Sequence, residues 1–307
     1  MELGTFITGL ILSCLGLILN TIELVLLYLH KTRKTKYQHL IQSLSAADIC
    51  ASLFFMCLYI IKQLIRENEA QYTAVFVTTH DLVWFAVSSS LLHVLAISFD
   101  RLLAVRFPLK HRFWFTHKKN TVLIVVIWVL SFLLLVPTIV VYLLTNDHHL
   151  TKLLLSSLVL VCGFMIVILY AYIIYKTVSK DCIFEIITLQ SGKKEVVSAC
   201  SPREKRILQT SVLIVVSFFA CSFPFAVLYI AKVRNDYTTL LLLSNSILNP
   251  LVYFYQRYYQ EKKEETLRRK AEKSAKISRD IELQVVDDLS AKKQPTGEDS
   301  LLEAEKN

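Results

Sequence analysis

An aspartate stands in the middle of an apolar run at Leu44-Ser45-Ala46-Ala47-Asp48. A carboxylate at mid-bilayer costs on the order of 2.5 to 3.5 kcal/mol even on lenient insertion scales, so a chain that keeps one there is using it. Neighbouring apolar runs offer partners: Asn20 in the first, Ser90 in the third, and Asn245, Ser246 and Asn249 in the seventh. Where these depths align, Asp48 receives hydrogen bonds from several helices, and the same oxygens suit a small hard cation. The plainer use is a protonated Asp48 held by hydrogen bonds alone. For Glu23, one turn from Asn20, the sequence alone does not point to a partner so clearly.

A second charged group closes the third run, in Ser98-Phe99-Asp100-Arg101-Leu102-Leu103-Ala104-Val105-Arg106-Phe107-Pro108. An Asp-Arg pair inside an apolar helix reads as a buried ion pair, and the arginine fork can take a second carboxylate. Glu204, in Arg203-Glu204-Lys205-Arg206 at the start of the sixth run, sits at the matching depth. Such a pair adds little stability but makes a good bistable element, because it can be broken and its members rehoused. Pro137, Pro224 and Pro250 each remove a backbone hydrogen bond inside an apolar helix and kink it, which suits helices that swing. Proline is nonetheless common in membrane helices, and one kink alone proves nothing.

The elements that must position these groups follow from composition. Of 307 residues, 54% are hydrophobic and 19% charged, a balance rare in a soluble domain. A bilayer core of about 30 Å needs about 20 apolar residues per helix. Seven runs qualify: Phe6 to Leu29, His39 to Ile61, Ala74 to Val105, Thr121 to Leu144, Leu153 to Tyr175, Ile207 to Ala231 and Tyr237 to Tyr255. The expected fold class is therefore an all-α membrane protein, a seven-helix bundle over residues 1–256. The first run lacks a basic leader and a cleavage site, so it reads as a span and not as a removed signal peptide. No internal repeat stands out, which weighs against transporters built from two related halves.

Positive charge sorts the loops. Odd-numbered connections hold sixteen Lys and Arg and even-numbered ones five, which predicts odd loops in the cytoplasm, the N-terminus outside and the C-terminus inside. The net charge of +9 is thereby explained through topology and lipid headgroups, with no call for nucleic acid. Cys14, Cys50, Cys57, Cys162 and Cys221 lie in spans, and Cys182 and Cys200 in a cytoplasmic loop, so no disulfide is expected on the outer face. No glycosylation sequon occurs.

The seventh run reads Leu243-Ser244-Asn245-Ser246-Ile247-Leu248-Asn249-Pro250-Leu251-Val252-Tyr253. It resembles the NPxxY motif of rhodopsin-like G-protein-coupled receptors, preceded by the expected Asn-Ser pair. Asn20, Asp48, Asp100-Arg101, Trp128 and Pro224 agree with that family in order, spacing and span, over about residues 6 to 270. The resemblance implies that Asp48, Ser90, Asn245, Ser246 and Asn249 form a sodium pocket, with sodium as an allosteric ion. It implies that Arg101 and Glu204 form an inactive-state lock beside Asp100. Phe218 corresponds to the aromatic of the core connector, and Tyr253 and Tyr170 to tyrosines that meet near Arg101 in the active state. With Ser222, Pro224, Asn249 and Pro250 these make up the expected activation switch.

The chain departs from the family pattern in several places. DRY is Asp100-Arg101-Leu102, and the toggle CWxP is Cys221-Ser222-Phe223-Pro224, so serine replaces the tryptophan that usually senses ligand. Cys162 stands where a fifth-span proline is typical, and Phe76 where the disulfide cysteine is expected. These absences, with a short second extracellular loop from Thr145 to Lys152, resemble the melanocortin, lysophospholipid, cannabinoid and adenosine receptor cluster.

Amine receptors carry an aspartate where this chain has Val83, so a monoamine is not the expected ligand. Family pocket positions fall on Val83, Trp84, Val87, Phe225, Tyr229 and Thr239, with His80, Asp81 and Lys62 nearer the mouth. That lining favours a lipid-like or small, weakly polar ligand. Such a stripe is also what ordinary helix packing produces.

Arg101, Pro108 and the basic stretch from Lys205 match the family's contacts with a heterotrimeric G protein, and arrestin and a receptor kinase are further expected partners. Residues 257–270 have the charge pattern of a helix lying on the membrane surface, without a cysteine for palmitoylation. Residues 271–307 are charged and poor in apolar residues, which predicts a disordered cytoplasmic tail with Ser300 as a low-specificity kinase site.

The resulting expectation is a plasma-membrane receptor that turns binding of a non-aminergic ligand into G-protein activation. A transporter or channel is the rival class, disfavoured by the Asp-Arg pair and the absence of acidic groups along a full route. A third reading is a seven-helix protein that signals without ligand or modulates partners, which the altered toggle favours. An enzyme is not expected, since no metal-ligand pair, nucleophile motif or phosphate loop is present.

Overall fold

Hydrocarbon offers no hydrogen bonds to the backbone, so apolar runs of this length must pair their amides internally, as helices. The computed structural model describes residues 3–29, 36–64, 69–107, 110–111, 113, 116–145, 148–178, 184–188, 194–198, 202–231 and 236–291. The helices are α1 (Leu3–Leu29), α2 (Lys36–Leu64), α3 (Glu69–Arg106), α4 (His117–Leu133), α5 (Leu135–Thr145), α6 (His148–Val178), α7 (Pro202–Ile230) and α8 (Asp236–Ala291). Among the described residues, six stretches are long and apolar enough to cross a membrane: Leu3–Leu29, Tyr37–Leu64, Val75–Arg106, His117–Pro137, Ser156–Lys176 and Leu208–Ile230. The seventh span is the first part of α8, whose apolar character is diluted by Asn245, Ser246 and Asn249.

The prolines act differently from one another. The fourth span breaks between α4 and α5 at Leu134, just before Pro137, whose ring clashes with the carbonyl four residues back. Pro224 and Pro250 lie inside continuous α7 and α8. Thr116 opens α4 as an N-cap, accepting from the Lys119 amide at 3.3 Å.

The chain splits into two compact units, Met1–Phe254 and Tyr255–Asn307. In the first, α3 packs against α2, α4, α5, α6 and α7, so the Asp100-Arg101 pair hangs from the most enclosed helix. In α1 the usual amphipathic pattern is inverted. Its buried face is Thr5, Gly9, Ser13, Gly16, Asn20, Glu23 and Leu27, while Ile7, Ile11, Leu15, Ile18, Ile22 and Val25 face outward. This is the arrangement expected where lipid is the solvent and small residues let helices approach. The approach is close: a Cβ on Gly9 would lie 2.6 Å from the Tyr59 ring, and one on Gly16 2.3 Å from Ser52 Oγ.

Two elements differ from the sequence expectation. The connection between α6 and α7 contains an antiparallel hairpin, β1 (Phe184–Thr188) with β2 (Lys194–Ser198), in the register Phe184 opposite Ser198. Both strands are rich in β-branched residues, Phe-Glu-Ile-Ile-Thr and Lys-Glu-Val-Val-Ser, a local preference that the search for membrane spans passes over. In the second unit, helix is described to Ala291, beyond the expected end of order near Lys270. Its composition of Glu, Lys, Arg, Leu and Ala favours helix, and Arg269–Glu265 (2.6 Å) and Arg268–Glu272 (3.1 Å) pair across one turn. Residues 292–307 lie outside the described residues.

Candidate functional site: a polar core linked to a buried arginine

Asp48 is fully buried in the second span and gathers three helices. Ser90 of the third span donates to its Oδ1 at 2.9 Å, Ser246 of the seventh donates to the same oxygen at 3.1 Å, and Asn249 donates to Oδ2 at 2.8 Å. Asn20 extends the set to the first span, donating to the Ser246 carbonyl at 2.7 Å and the Gly16 carbonyl at 2.9 Å. Asn20, Ser90, Ser246 and Asn249 thus bring the first, third and seventh spans to the depth of Asp48 in the second. Asn245 is buried beside them, yet among the described residues its Oδ1 has no hydrogen-bond partner, and neither has Asn249 Oδ1.

A small cavity opens above this cluster, lined by Ala51, Val87, Ser90, Leu91, Val159, Phe218, Ser222, Leu242, Asn245 and Ser246. Its free space of about 10 Å³ is near the least that holds one water. Ser222 explains why the space exists, because a hydroxymethyl group occupies a position where the resemblance expects an indole. The cavity wall is mostly apolar, with the Ser90, Ser222 and Ser246 hydroxyls and the Asn245 amide as the polar groups that would meet a water or a small cation. Phe218 is buried at its edge, in a cluster with Leu91, Val159, Cys162 and Ala226. Pro224 follows one half-turn on, partly buried.

At the Arg101 end, Asp100 and Arg101 are 2% and 4% exposed. Arg101 Nε donates to Asp100 Oδ2 at 3.0 Å, and its Nη2 contacts the same oxygen. His111 Nε2 lies 2.7 Å from Asp100 Oδ1, so the carboxylate is shared between an arginine and an imidazole. Tyr170 and Tyr253 are buried in the same apolar cluster as Tyr37, Leu44, Val94 and Ile214 around this pair. Pro250 is buried one turn before Tyr253. Pro108 lies outside the described residues. Glu204 falls within α7, but its side chain is also outside them, so the lock partner is not placed.

The expected ligand positions come together as packed core. Val83, Trp84 and Phe225 are 2%, 6% and 1% exposed, in one cluster with Phe55, Leu58, Tyr59, Leu240, Leu242 and Leu243, and Val87 and Tyr229 pack on its flank. The rings form a ladder: Phe76 to His80 (5.9 Å), His80 to Trp84 (5.4 Å), Trp84 to Phe225 (5.8 Å) and Phe225 to Tyr229 (6.0 Å). Trp84 donates its indole N–H to His80 Nε2 at 2.9 Å, and His80 Nδ1 lies 3.7 Å from Asp81. Thr239 is 3.2 Å from the Tyr59 hydroxyl, and the Lys62 ammonium lies 5.9 Å from the Phe76 ring centre.

Against known sequences, the profile of the 7 transmembrane receptor (rhodopsin family) matches residues 19–253. The chain belongs to this family. Among curated relatives it is 31% identical over 146 residues to a tyramine receptor of Caenorhabditis elegans, covering 46% of this chain and 30% of that one. It is 31% identical over 134 residues to a muscarinic acetylcholine receptor of Sus scrofa (44% and 22% covered). It is 32% identical over 127 residues to a cholecystokinin receptor type A of Oryctolagus cuniculus (41% and 29%). The matches thus span at most 30% of these relatives' own length. None of the three is a melanocortin, lysophospholipid, cannabinoid or adenosine receptor, so they lend that sub-assignment no support.

Sequence reasoning missed three groups. His93 is fully buried between Ser89 and Ser43, and Trp128 joins the same hydroxyl. Its signal was available, since a histidine inside an apolar helix is as conspicuous as an aspartate. His111 and Tyr37 gave no such signal: one sits in a loop, the other at a helix end, where polar and aromatic residues are ordinary.

Proposed function

We propose that this receptor transmits a change in its outward half to a heterotrimeric G protein that engages the Arg101 end from the cytoplasm, in a plasma membrane with the N-terminus outside. The observation that carries the reading is the arrangement along the bundle. Asp48, hydrogen-bonded from the third and seventh spans, lies between the aromatic ladder around Trp84 and the tyrosine-ringed Asp100–Arg101 pair. Each of these groups joins several helices, so a shift of the sixth or seventh span must rearrange all of them, which is what a two-state element requires.

A sodium ion fits the Asp48 site chemically. Asp48 supplies the charge, and Ser90, Asn245, Ser246 and Asn249 supply neutral oxygens, of which the Asn245 and Asn249 carbonyl oxygens are buried without a partner among the described residues. The ion would neutralise the buried carboxylate and so favour the state that keeps these helices together. Ser222, on the cavity wall, leaves room for water beside it.

The ligand is proposed as non-aminergic. One of the relatives is named for tyramine and another for acetylcholine, but Val83 offers an amine no counter-charge. A lipid-like or weakly polar molecule is the better chemical match to Trp84, Val87, Phe225, Tyr229 and Thr239. The packed ladder favours a second reading, in which the bundle signals without ligand because its own rings fill the space. Arrestin and a receptor kinase remain proposed partners on the same face. The deciding experiment is a cell-based G-protein dissociation panel without added ligand. Expressed receptor should drive dissociation of at least one G-protein class above mock-transfected cells if it is ligand-independent. Silence that lipid extracts relieve would support a ligand-gated receptor, and silence under every condition would count against G-protein coupling.

A further inference from the structure

None of the motifs above includes Tyr37, at the start of the second span. The Arg101 guanidinium lies over its ring, with Cζ 5.0 Å from the ring centre. Its hydroxyl reaches Ser211 Oγ of the sixth span at 3.5 Å, across 174 residues of sequence. All three residues are buried, Tyr37 at 9% exposure, Arg101 at 4% and Ser211 at 0%. Arg101 thus holds a carboxylate and an aromatic ring at once, Asp100 by hydrogen bonds and Tyr37 by a cation–π contact.

We propose that Tyr37 is the gate of this receptor: a clasp that covers Arg101 and ties the second span to the sixth. This rests on the reading of Arg101 as the group a G protein engages. A partner that must touch Arg101 cannot do so while the tyrosine ring covers it. The sixth span cannot swing away from the bundle without parting Ser211 from the Tyr37 hydroxyl. The two contacts therefore open together, and Tyr37 couples exposure of the arginine to movement of the helix. The device does not use the Glu204 side chain; its tie is made by Ser211, seven residues further along α7.

The test uses the full chain in lipid nanodiscs, with spin labels on cysteines placed at exposed Gln209 of the sixth span and Val122 of the fourth and with accessible native cysteines replaced. Tyr37→Phe and Ser211→Ala each remove the tie while keeping the ring. Both should lengthen the distance between labels and raise basal nucleotide exchange by about 2- to 10-fold, the factor that one net hydrogen bond supplies. The double variant should fall short of the sum of the two single effects, because the changes share one contact. Tyr37→Leu, which also uncovers Arg101, should exceed both. Unchanged distances in Tyr37→Phe and Ser211→Ala, or additive effects in the double variant, would overturn the clasp. Distances that lengthen as expected while no variant drives exchange with any G protein would uphold the clasp and defeat the coupling reading instead.

Discussion

Asn249 donates to Asp48 Oδ2 at 2.8 Å, joining the seventh span to the second across 201 residues of sequence. Because Ser90 and Ser246 share the other carboxylate oxygen, one side chain registers the positions of three helices. A cation that strengthens this junction must weaken activation by its difference in affinity for the two states. Sodium should therefore lower basal nucleotide exchange in receptor-containing membranes, and an impermeant organic cation at equal ionic strength should not. Asp48→Asn keeps the size and a hydrogen-bonding oxygen but removes the charge, so its exchange should be independent of sodium. Coincident sodium curves for wild type and Asp48→Asn would reduce the cluster to a structural role.

Arg101 keeps its charge at 4% exposure, where a stability role alone would be better served by an apolar residue of similar volume. The expected consequence of Arg101→Ala is loss of G-protein activation with receptor still present at the surface. Surface labelling together with nucleotide exchange checks this, and full signalling by the expressed variant would remove Arg101 from the mechanism.

Glu204 falls in the first turn of α7, and the family resemblance makes it the resting-state partner of the arginine fork. If it is, Glu204→Ala removes an interaction present in one state only and should raise basal activity, within a coupling of about 1 to 3 kcal/mol. Combining it with Tyr37→Phe should raise activity further than either change alone, since the two contacts use different atoms. A fall in basal activity would show that Glu204 supports the active state instead.

His93 makes a directional chain. Its Nδ1 lies 2.7 Å from the Ser89 carbonyl, which can only accept, so Nδ1 carries the proton and Nε2 accepts from Ser43 at 2.7 Å. The Ser43 oxygen in turn accepts the Trp128 indole N–H at 3.0 Å. Ser43→Ala strands both rings and should cost about 1 to 3 kcal/mol, a fall in Tm of about 2 to 4 °C for each kcal/mol. Ser45 is the internal control: it is more deeply buried than Ser43, but its hydroxyl has no hydrogen-bond partner among the described residues, so Ser45→Ala should leave Tm nearly unchanged. Equal Tm values for the two variants, melted in the same detergent, would contradict the chain.

The parts of the fold that were readable in advance are those where lipid leaves few choices. Apolar runs had to be helices, and a carboxylate among them had to find polar partners, so Asp48, Ser90, Ser246 and Asn249 could be grouped before any coordinates. Family spacing added the Asp100–Arg101 pair and the tyrosines. The Tyr37 clasp and the His111 contact were not readable, because each depends on how two distant helix ends or loops meet, and neither residue type is unusual where it stands. The ligand region illustrates the opposite limit. Its residues were grouped correctly, yet composition could not distinguish a lined pocket from the packed ladder in which Trp84 meets Phe225. The hairpin at Phe184–Thr188 was passed over because hydropathy over a span-length window averages away five-residue strands.

The close approach of α1 to α2 at Gly9 gives a last expectation. Gly9 faces the Tyr59 ring, and an added Cβ would lie 2.6 to 2.8 Å from three of its carbons, too near for any real contact. The ring is poorly placed to yield, since Phe55 stacks on it at 6.4 Å and its hydroxyl is 3.2 Å from Thr239 Oγ1. Gly9→Ala must therefore push α1 outward or tear Tyr59 from the seventh span, at a cost of about 1 to 3 kcal/mol. Tyr59→Leu shortens the opposing side chain and should be destabilising alone, yet it should relieve the clash in the double variant. Melting curves followed with a thiol-reactive dye, which reports exposure of buried Cys162 and Cys221, measure all four proteins alike. The double variant should be more stable than the two single losses added together, because the substituted residues touch. Additive losses would mean that α1 shifts as a body and that the ring is not what Gly9 accommodates.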